Sequence, residues 1–238
     1  MIIGPYINAG SVLIGAVVGA VFARRIPERL RLAMPLTFGV ASMCMGVILI
    51  DKSQHMPVMV LSAILGSLIG ELIYLERGIS LCGDKIRGLV EKVLPAPEGE
   101  LSKQAFLEKF VAILVLFCAS GTGIFGAMHE GMTGDATVLI AKSFLDLFTA
   151  AIFATSLGFS VAMIAVPQLV ILLALAFGAT YILPLTTPGM QADFSAVGGL
   201  LMLATGLRIC GIKVFPVANM LPAIVIAMPI SALWTHFF

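Results

Sequence analysis

Apolar residues in this chain come in long uninterrupted runs, without the two-residue alternation of a half-buried strand. Residues 169–177 (LVILLALAF) are one such run, and others recur from end to end. Crossing roughly 30 Å of hydrocarbon takes about 20 mostly apolar residues. The runs between polar breaks predict helices over 3–23, 31–50, 57–76, 106–127, 136–157, 160–183, 194–211 and 214–235. Lipid offers no water to satisfy backbone groups, so a spanning chain is helical or a closed barrel. Barrel strands would alternate apolar and polar positions, and these runs do not. The prediction is an all-α polytopic transmembrane bundle of about eight spans, one domain over 1–238. Its weakest boundary is at 157–160, where only a small-residue corner parts spans five and six.

The polar breaks add an orientation. With the N-terminus outside, the cytoplasmic side carries Arg24, Arg25, Arg29, Arg31, Arg77, Lys85, Arg87, Lys92, Lys103, Lys109, Arg208 and Lys213. Only Lys52, in an outer loop, and Lys142, within a span, fall elsewhere. Such a bias of Lys and Arg sets topology, so both termini are expected outside, in a bacterial inner membrane. Tyr6, Tyr181 and Trp234 then fall near the outer interface and Tyr74 near the inner one, as aromatic belts do. The opening MIIGPYINAG has no basic stretch before its apolar run and reads as a retained first span.

One substantial segment, 77–105, is not apolar throughout. Ile79, Cys82, Ile86, Leu89, Val90 and Val93 recur at helical spacing with Asp84, Lys85, Arg87, Glu91 and Lys92 between them. This predicts an amphipathic helix lying on the cytoplasmic face of the bilayer, ended by Pro95 and Pro97. Composition agrees with a membrane solvent: 60% of residues are hydrophobic, 11% are charged, and mean hydropathy is +1.09. Soluble domains carry about a quarter charged residues. The net charge of +1 speaks against a nucleic-acid partner. Cys44, Cys82, Cys118 and Cys210 form no CxxC pair and read as small apolar fillers.

Against this background a few polar residues stand out. Lys142 and Asp146 sit four apart on one helical face, with Asp146 roughly 15 Å into span five. An ionisable group at that depth costs at least about 2.5–3.5 kcal/mol on insertion scales, so it needs a partner or water. The two could neutralise each other as structural glue; the functional alternative is a substrate or proton site with Ser143 beside it. Gly121, Gly123, Gly126, Gly131 and Gly134 cluster between spans four and five. Glycine at that density allows a broken or re-entrant helix that carries Glu130 and Asp135 at an outer vestibule; the alternative is an outer hairpin with solvated acids. Glu71, near the inner end of span three, either lines a pathway or reaches the interface beside Glu76 and Arg77. Asn8 and Asn219 are single amides near span ends, suited to inter-helical hydrogen bonds. Gly15-x-x-x-Gly19 and Ser62-x-x-x-Gly66-x-x-x-Gly70 are close-packing faces, within one chain or between copies as a homo-oligomer.

Gly39 and Gly46 in span two match Gly199 and Gly206 in span seven, and Pro57-Val58 matches Pro216-Val217. On the expected topology these pairs run in opposite directions, as an inverted repeat requires. His55, His129 and His236, with Met128 and Met132, repeat no metal-ligand spacing, so no metal is expected. No P-loop, GxSxG, HExxH or dinucleotide fingerprint is present; no cofactor and no enzyme activity are expected.

The stretches EGMTGD (130–135) and KSFLD (142–146), with the LGFSV that follows, carry a resemblance. So do GGLLMLATGLRICGIKVFPVANMLPAIVIA near the C-terminus, the opening INAGSVLIGAVVGAVF, IPERL, and GSLIGEL in span three. Over nearly its whole length the chain resembles the YqgA-type family of bacterial inner-membrane proteins, a family of unknown function. The resemblance implies location and fold, with no activity attached. Glu130, Gly131, Gly134, Asp135, Lys142, Ser143 and Asp146 fit its pattern without departure.

The functional expectation is a small secondary transporter or channel-like permease for an unknown solute or ion, driven by a proton or sodium gradient. Asp146, Lys142, Ser143, Glu130, Asp135, Glu71, Asn8 and Asn219 are its candidate residues. The competing expectation is a membrane scaffold that holds partners through 77–105. Topology has a direct test in a cysteine-free background. Ser53→Cys should react with an impermeant maleimide in intact cells, and Lys213→Cys only after permeabilisation.

Overall fold

Prolines mark where several helices start. A proline in the first turn lacks an amide that would have no partner there, and its φ is already helical. Pro5 opens α1 (Gly4–Val21), Pro57 opens α3 (Met56–Leu72) and Pro188 opens α8 (Pro188–Ile209). The computed structural model describes residues 2–23, 25–79, 81 and 103–237. The expected amphipathic helix in 77–105 lies largely outside them.

Between these helices run α2 (Glu28–Ile50), α4 (Lys103–Cys118), α5 (Gly121–Thr133), α6 (Thr137–Leu157) and α7 (Ala165–Ile182). The last helix is α9 (Pro222–Phe237), preceded by a short turn at Val217–Met220. Helices α4 and α5 are two parts of one apolar run, broken at Ala119 and Ser120; the Ser120 hydroxyl accepts the Gly123 amide and caps α5. The corner expected at 157–160 is present. Gly158 takes φ +63°, a left-handed conformation open to glycine, and a 3₁₀ turn Gly158–Ile164 leads into α7.

Among the described residues there is no strand, and six helical runs are long and apolar enough to cross a membrane. That number is lower than the eight spans expected for two reasons. Helix α3 has only 17 residues, and Thr137–Leu185 is a single 49-residue run through the Gly158 turn.

Helix pairing is set by glycine. In lipid, helices associate by close packing, and small residues let their backbones approach. A Cβ at Gly15 or Gly19 of α1 would overlap the carbonyl oxygen of Leu147 or Ala151 on parallel α6. Gly39 and Gly46 of α2 meet Gly206 and Gly199 of antiparallel α8, and Gly66 and Gly70 of α3 meet Ala223 of antiparallel α9 and Asn219 of the turn before it. Gly131 of α5 meets Ala176 of α7. The glycines that suggested an inverted repeat are therefore a mutual contact between two antiparallel helices.

Two larger cores result, with a smaller cluster of Ala127, Leu139, Leu172 and Ala176 joining α5, α6 and α7. One joins α1, α4, α6 and the 3₁₀ turn around Val12, Phe110, Phe117, Ala150 and Val161. The other joins α2, α3, α5, α8 and α9 around Leu49, Met59, Phe125, Phe194, Leu201 and Ile224, and takes in Val138 of α6 and Ala179 of α7. The outer faces carry large exposed apolar side chains, among them Leu32, Val47, Ile64, Leu72 and Val170. Such a continuous apolar exterior is what a lipid-facing surface requires. Asn8, Gln168, Asp193 and Ser231 are buried instead.

Replacing Gly19 by valine forces α1 and α6 apart, at a cost of about 1–3 kcal/mol for an overpacked contact. Thermal unfolding in detergent should show that loss. Gly10→Ala, at a position with open space around it, should show none.

Candidate functional site

One face of α6 turns toward the gap between the two cores. It presents Lys142, Asp146, Thr149 and Phe153, spaced by three or four residues. Asp146 is the tenth of the helix's 21 residues, so its carboxylate sits at mid-depth. A carboxylate so placed is tolerable only when donors replace the water it has lost. Three donors converge on its Oδ2. The Lys142 ammonium donates from one turn earlier, the Asn8 amide from α1 at 2.8 Å, and the Gln168 amide from α7 at 3.0 Å. Gln168 also donates to Asn8 Oδ1 at 2.8 Å, which closes a ring of side chains from three helices. Asn8 and Gln168 are fully buried, while Lys142 and Asp146 keep 3% and 8% exposure. The Lys142 ammonium also lies 5.8 Å from the centre of the Phe117 ring, within cation–π range.

Lys142 and Asp146 form part of the wall of a cavity of about 380 Å³. It lies among α2, α4, α5, α6 and α8, and its far end is marked by Arg31 in the first turn of α2 and Arg208 in the last turn of α8. Phe38, Phe117, Leu145, Ile152 and Phe153 make most of the wall apolar. The size is within the range of small-molecule sites. Toward the Gly4 end of the bundle the space is filled. Phe125 stacks on His129 at 5.4 Å and tilts against Phe194 at 5.2 Å, all three buried.

Two further buried acids act on helix starts. An α-helix leaves its first amides without intrahelical acceptors and carries partial positive charge there. Glu130, 1% exposed, accepts the amides of Ile3 at 2.7 Å and Gly4 at 2.9 Å, so a side chain of α5 caps α1. Gly4 is required there, because a Cβ would overlap the carboxylate. Asp193 of α8 does the same for α3. Its Oδ1 accepts the amides of Gln54 at 3.1 Å and His55 at 2.8 Å; its Oδ2 accepts the Ser231 hydroxyl and contacts His55 Nδ1 at 2.9 Å.

The expected residues thus divide. Asp146, Lys142 and Asn8 are brought together, and Gln168 joins them. Glu130 was expected as an acid at a vestibule mouth; it is buried because it serves the start of α1. Asp135 is exposed, and accepts the amide and hydroxyl of Thr137 at the start of α6. These bonds hold its carboxyl below the usual aspartate range. The stabilisation they give is present above the ordinary carboxylate range and is lost as pH falls through the lowered folded-state value. Ser143 donates to the Leu139 carbonyl of its own helix and stays outside the ring. Asn219 accepts the Glu76 amide at 2.6 Å, far from Asp146, and Glu71 is exposed at the end of α3.

Sequence reasoning missed Asp193 and the role of Gln168. Thr187 followed by Pro188 is a helix-start signature, and would have moved the seventh span back to include Asp193. Gln168 follows Pro167 in an apolar run, and nothing local to it points to Asn8 or Asp146.

Removing the Glu130 carboxylate leaves two buried amides without an acceptor, at about 1–3 kcal/mol. Glu130→Ala should lower the unfolding temperature in detergent, and Glu130→Gln, which keeps an acceptor oxygen, should lower it less.

A family model described as "Protein of unknown function (DUF554)" matches residues 3–232. The chain is 58% identical to the "Uncharacterized protein YqgA" of Escherichia coli (strain K12), over all of both chains. It is 26% identical to the "Uncharacterized membrane protein YdfK" of Bacillus subtilis (strain 168), over 99% of this chain and 97% of that protein. No solved structure matches the chain.

Proposed function

We propose that this chain, which belongs to the DUF554 family, is a small secondary transporter or channel-like permease of the bacterial inner membrane. The observation that carries the reading is the Asp146 ring on the wall of a cavity between two separately packed cores. A purely structural bundle would gain more from apolar contact at mid-depth than from a lysine, an aspartate and two amides.

The reading includes eight crossings with both ends outside. In it, α4 and α5 make one broken span, α6 and α7 make two, and the 17-residue α3 crosses with some thinning of the bilayer. Parallel packing of α1 with α6, and antiparallel packing of α2 with α8 and of α3 with α9, are what that order requires. Arg25, Arg29, Arg31, Arg208 and Lys213 then share the cytoplasmic end, as the positive-inside bias demands.

The cavity reaches that end and is blocked toward the other by Phe125, His129 and Phe194. This is the arrangement of an inward-facing state. In the proposed cycle Asp146 is the coupling acid. A proton or sodium ion on its carboxylate cancels the attraction that holds Lys142, and the freed ammonium becomes available to a solute. Parting of α5 from α8 at the aromatic plug would then expose the site to the opposite side.

Proteoliposomes loaded with a pH-sensitive dye test this when a panel of solutes is added under an imposed proton or sodium gradient. The wild type should show solute-dependent flux. Asp146→Asn and Lys142→Gln should insert normally and lose most of it. Flux unchanged in both variants would sink the proposal.

A further inference from the structure

The charges around the cavity do not balance, and the imbalance has a sign. Lys142 is matched by Asp146, and Arg208 donates to Glu76 at 2.8 Å. Arg31 lines the same cavity and, among the described residues, has no carboxylate partner. Its only hydrogen bond runs from Nη2 to the Ile26 carbonyl at 3.2 Å; its Nε is buried and meets no acceptor. Arg31 is half-buried, and a guanidinium nitrogen taken out of water without an acceptor is costly. Its planar fork of donors suits a carboxylate.

A second, independent feature has the same sign. Helix α5 begins inside the bundle, at the break in the fourth apolar run, and Ser120 and Thr122 of its first turn line the cavity. Ser120 uses its hydroxyl on the Gly123 amide. Among the described residues, the amides of Gly121 and Thr122 have no acceptor in the protein. A broken span that aims its amides at a cavity presents the positive end of a helix to whatever enters. Among the described residues Asp146 is the single acid on the cavity wall, and its Oδ2 already receives three donors. The lining side chains therefore carry three positive charges against one negative. The rest of the wall, with three phenylalanines, favours an apolar body over a sugar or a polyol.

We infer that the cavity binds a small monoanionic carboxylate with an apolar, ring-sized body, whose charge is read by Arg31 with the free amides of α5. This deepens the transport reading and rests on it only for the solute's later movement; binding itself needs no gradient. A free solute and the headgroup of an acidic lipid share the anionic chemistry, and the inference commits to the free solute.

The test uses the full chain in phosphatidylcholine nanodiscs and three probes of one size: benzoate, benzamide and benzylamine. A ligand that prefers the folded state raises the unfolding temperature saturably. Benzoate should do so, and the neutral and cationic analogues should not. Arg31→Gln should weaken benzoate about tenfold or more, the scale of a lost charge-assisted hydrogen bond. Arg31→Lys should recover part of the loss. Arg29→Gln, which removes a neighbouring cation that does not line the cavity, should leave benzoate binding unchanged and controls for general charge effects. Equal shifts by all three probes, or a benzoate shift indifferent to Arg31→Gln, overturn the inference. So does stabilisation by added phosphatidylglycerol that depends on Arg31 while benzoate has no effect, because the occupant is then lipid.

Failure here is separable from failure of the transport reading. Solute-dependent flux that Asp146→Asn abolishes, with no benzoate binding, leaves a transporter for another class of solute. Arg31-dependent benzoate binding without flux leaves an anion site and removes the transporter.

Discussion

Glycine-to-carbonyl contact between helix backbones decides which helices pair in this bundle, and the cavity follows from that choice. Lipid-facing side chains gain nothing by meeting each other, so helices associate where their backbones come closest. Gly15 and Gly19 bring α1 onto α6, while Gly39, Gly46, Gly199 and Gly206 bring α2 onto α8. These tight seams lie within the two cores. Between α6 and α2 no such glycine seam exists, and Phe38 stacks on Phe148 there at 6.1 Å. The space left over is where Lys142 and Asp146 face Arg31 and Arg208.

The buried acids of this protein obey one rule: each is placed where backbone or side-chain donors can replace water. Asp146 collects side-chain donors from three helices, whereas Glu130 and Asp193 collect the unused amides at helix starts. These are different solutions to the same desolvation cost. The second fixes where a helix begins, since the carboxylate holds the amides at that start. Gln168 is the imperfect case. Its amide nitrogen makes two hydrogen bonds, and its Oε1 is buried without a partner.

Much of this could be read from the sequence. Run length and hydropathy identified the helical segments, i, i+4 spacing identified the Lys142–Asp146 pair, and the GxxxG face of α1 proved to be a packing seam. The corner at 157–160 was legible from Gly158 alone. What stayed hidden depends on partners distant in sequence. That Glu130 caps α1 requires knowing that residue 130 lies beside residue 3, and nothing local to EGMTGD distinguishes a cap from a mouth acid. Asp193 fell just outside an expected span because its polarity was read as a boundary. The glycine-rich stretch suggested a broken or re-entrant helix, but not that the break is a capped start at Ser120. Arg31 counted toward orientation, and only the fold places it on the cavity wall.

The two capping acids also constrain how the closed end can open. The plug of Phe125, His129 and Phe194 belongs to α5 and α8, and those helices also carry Glu130 and Asp193. Drawing α5 away from α8 therefore pulls the start of α1 along with it, and α8 keeps hold of the start of α3. Parting the two helices at the aromatic stack thus divides the second core itself, and each half leaves with a helix start latched to it.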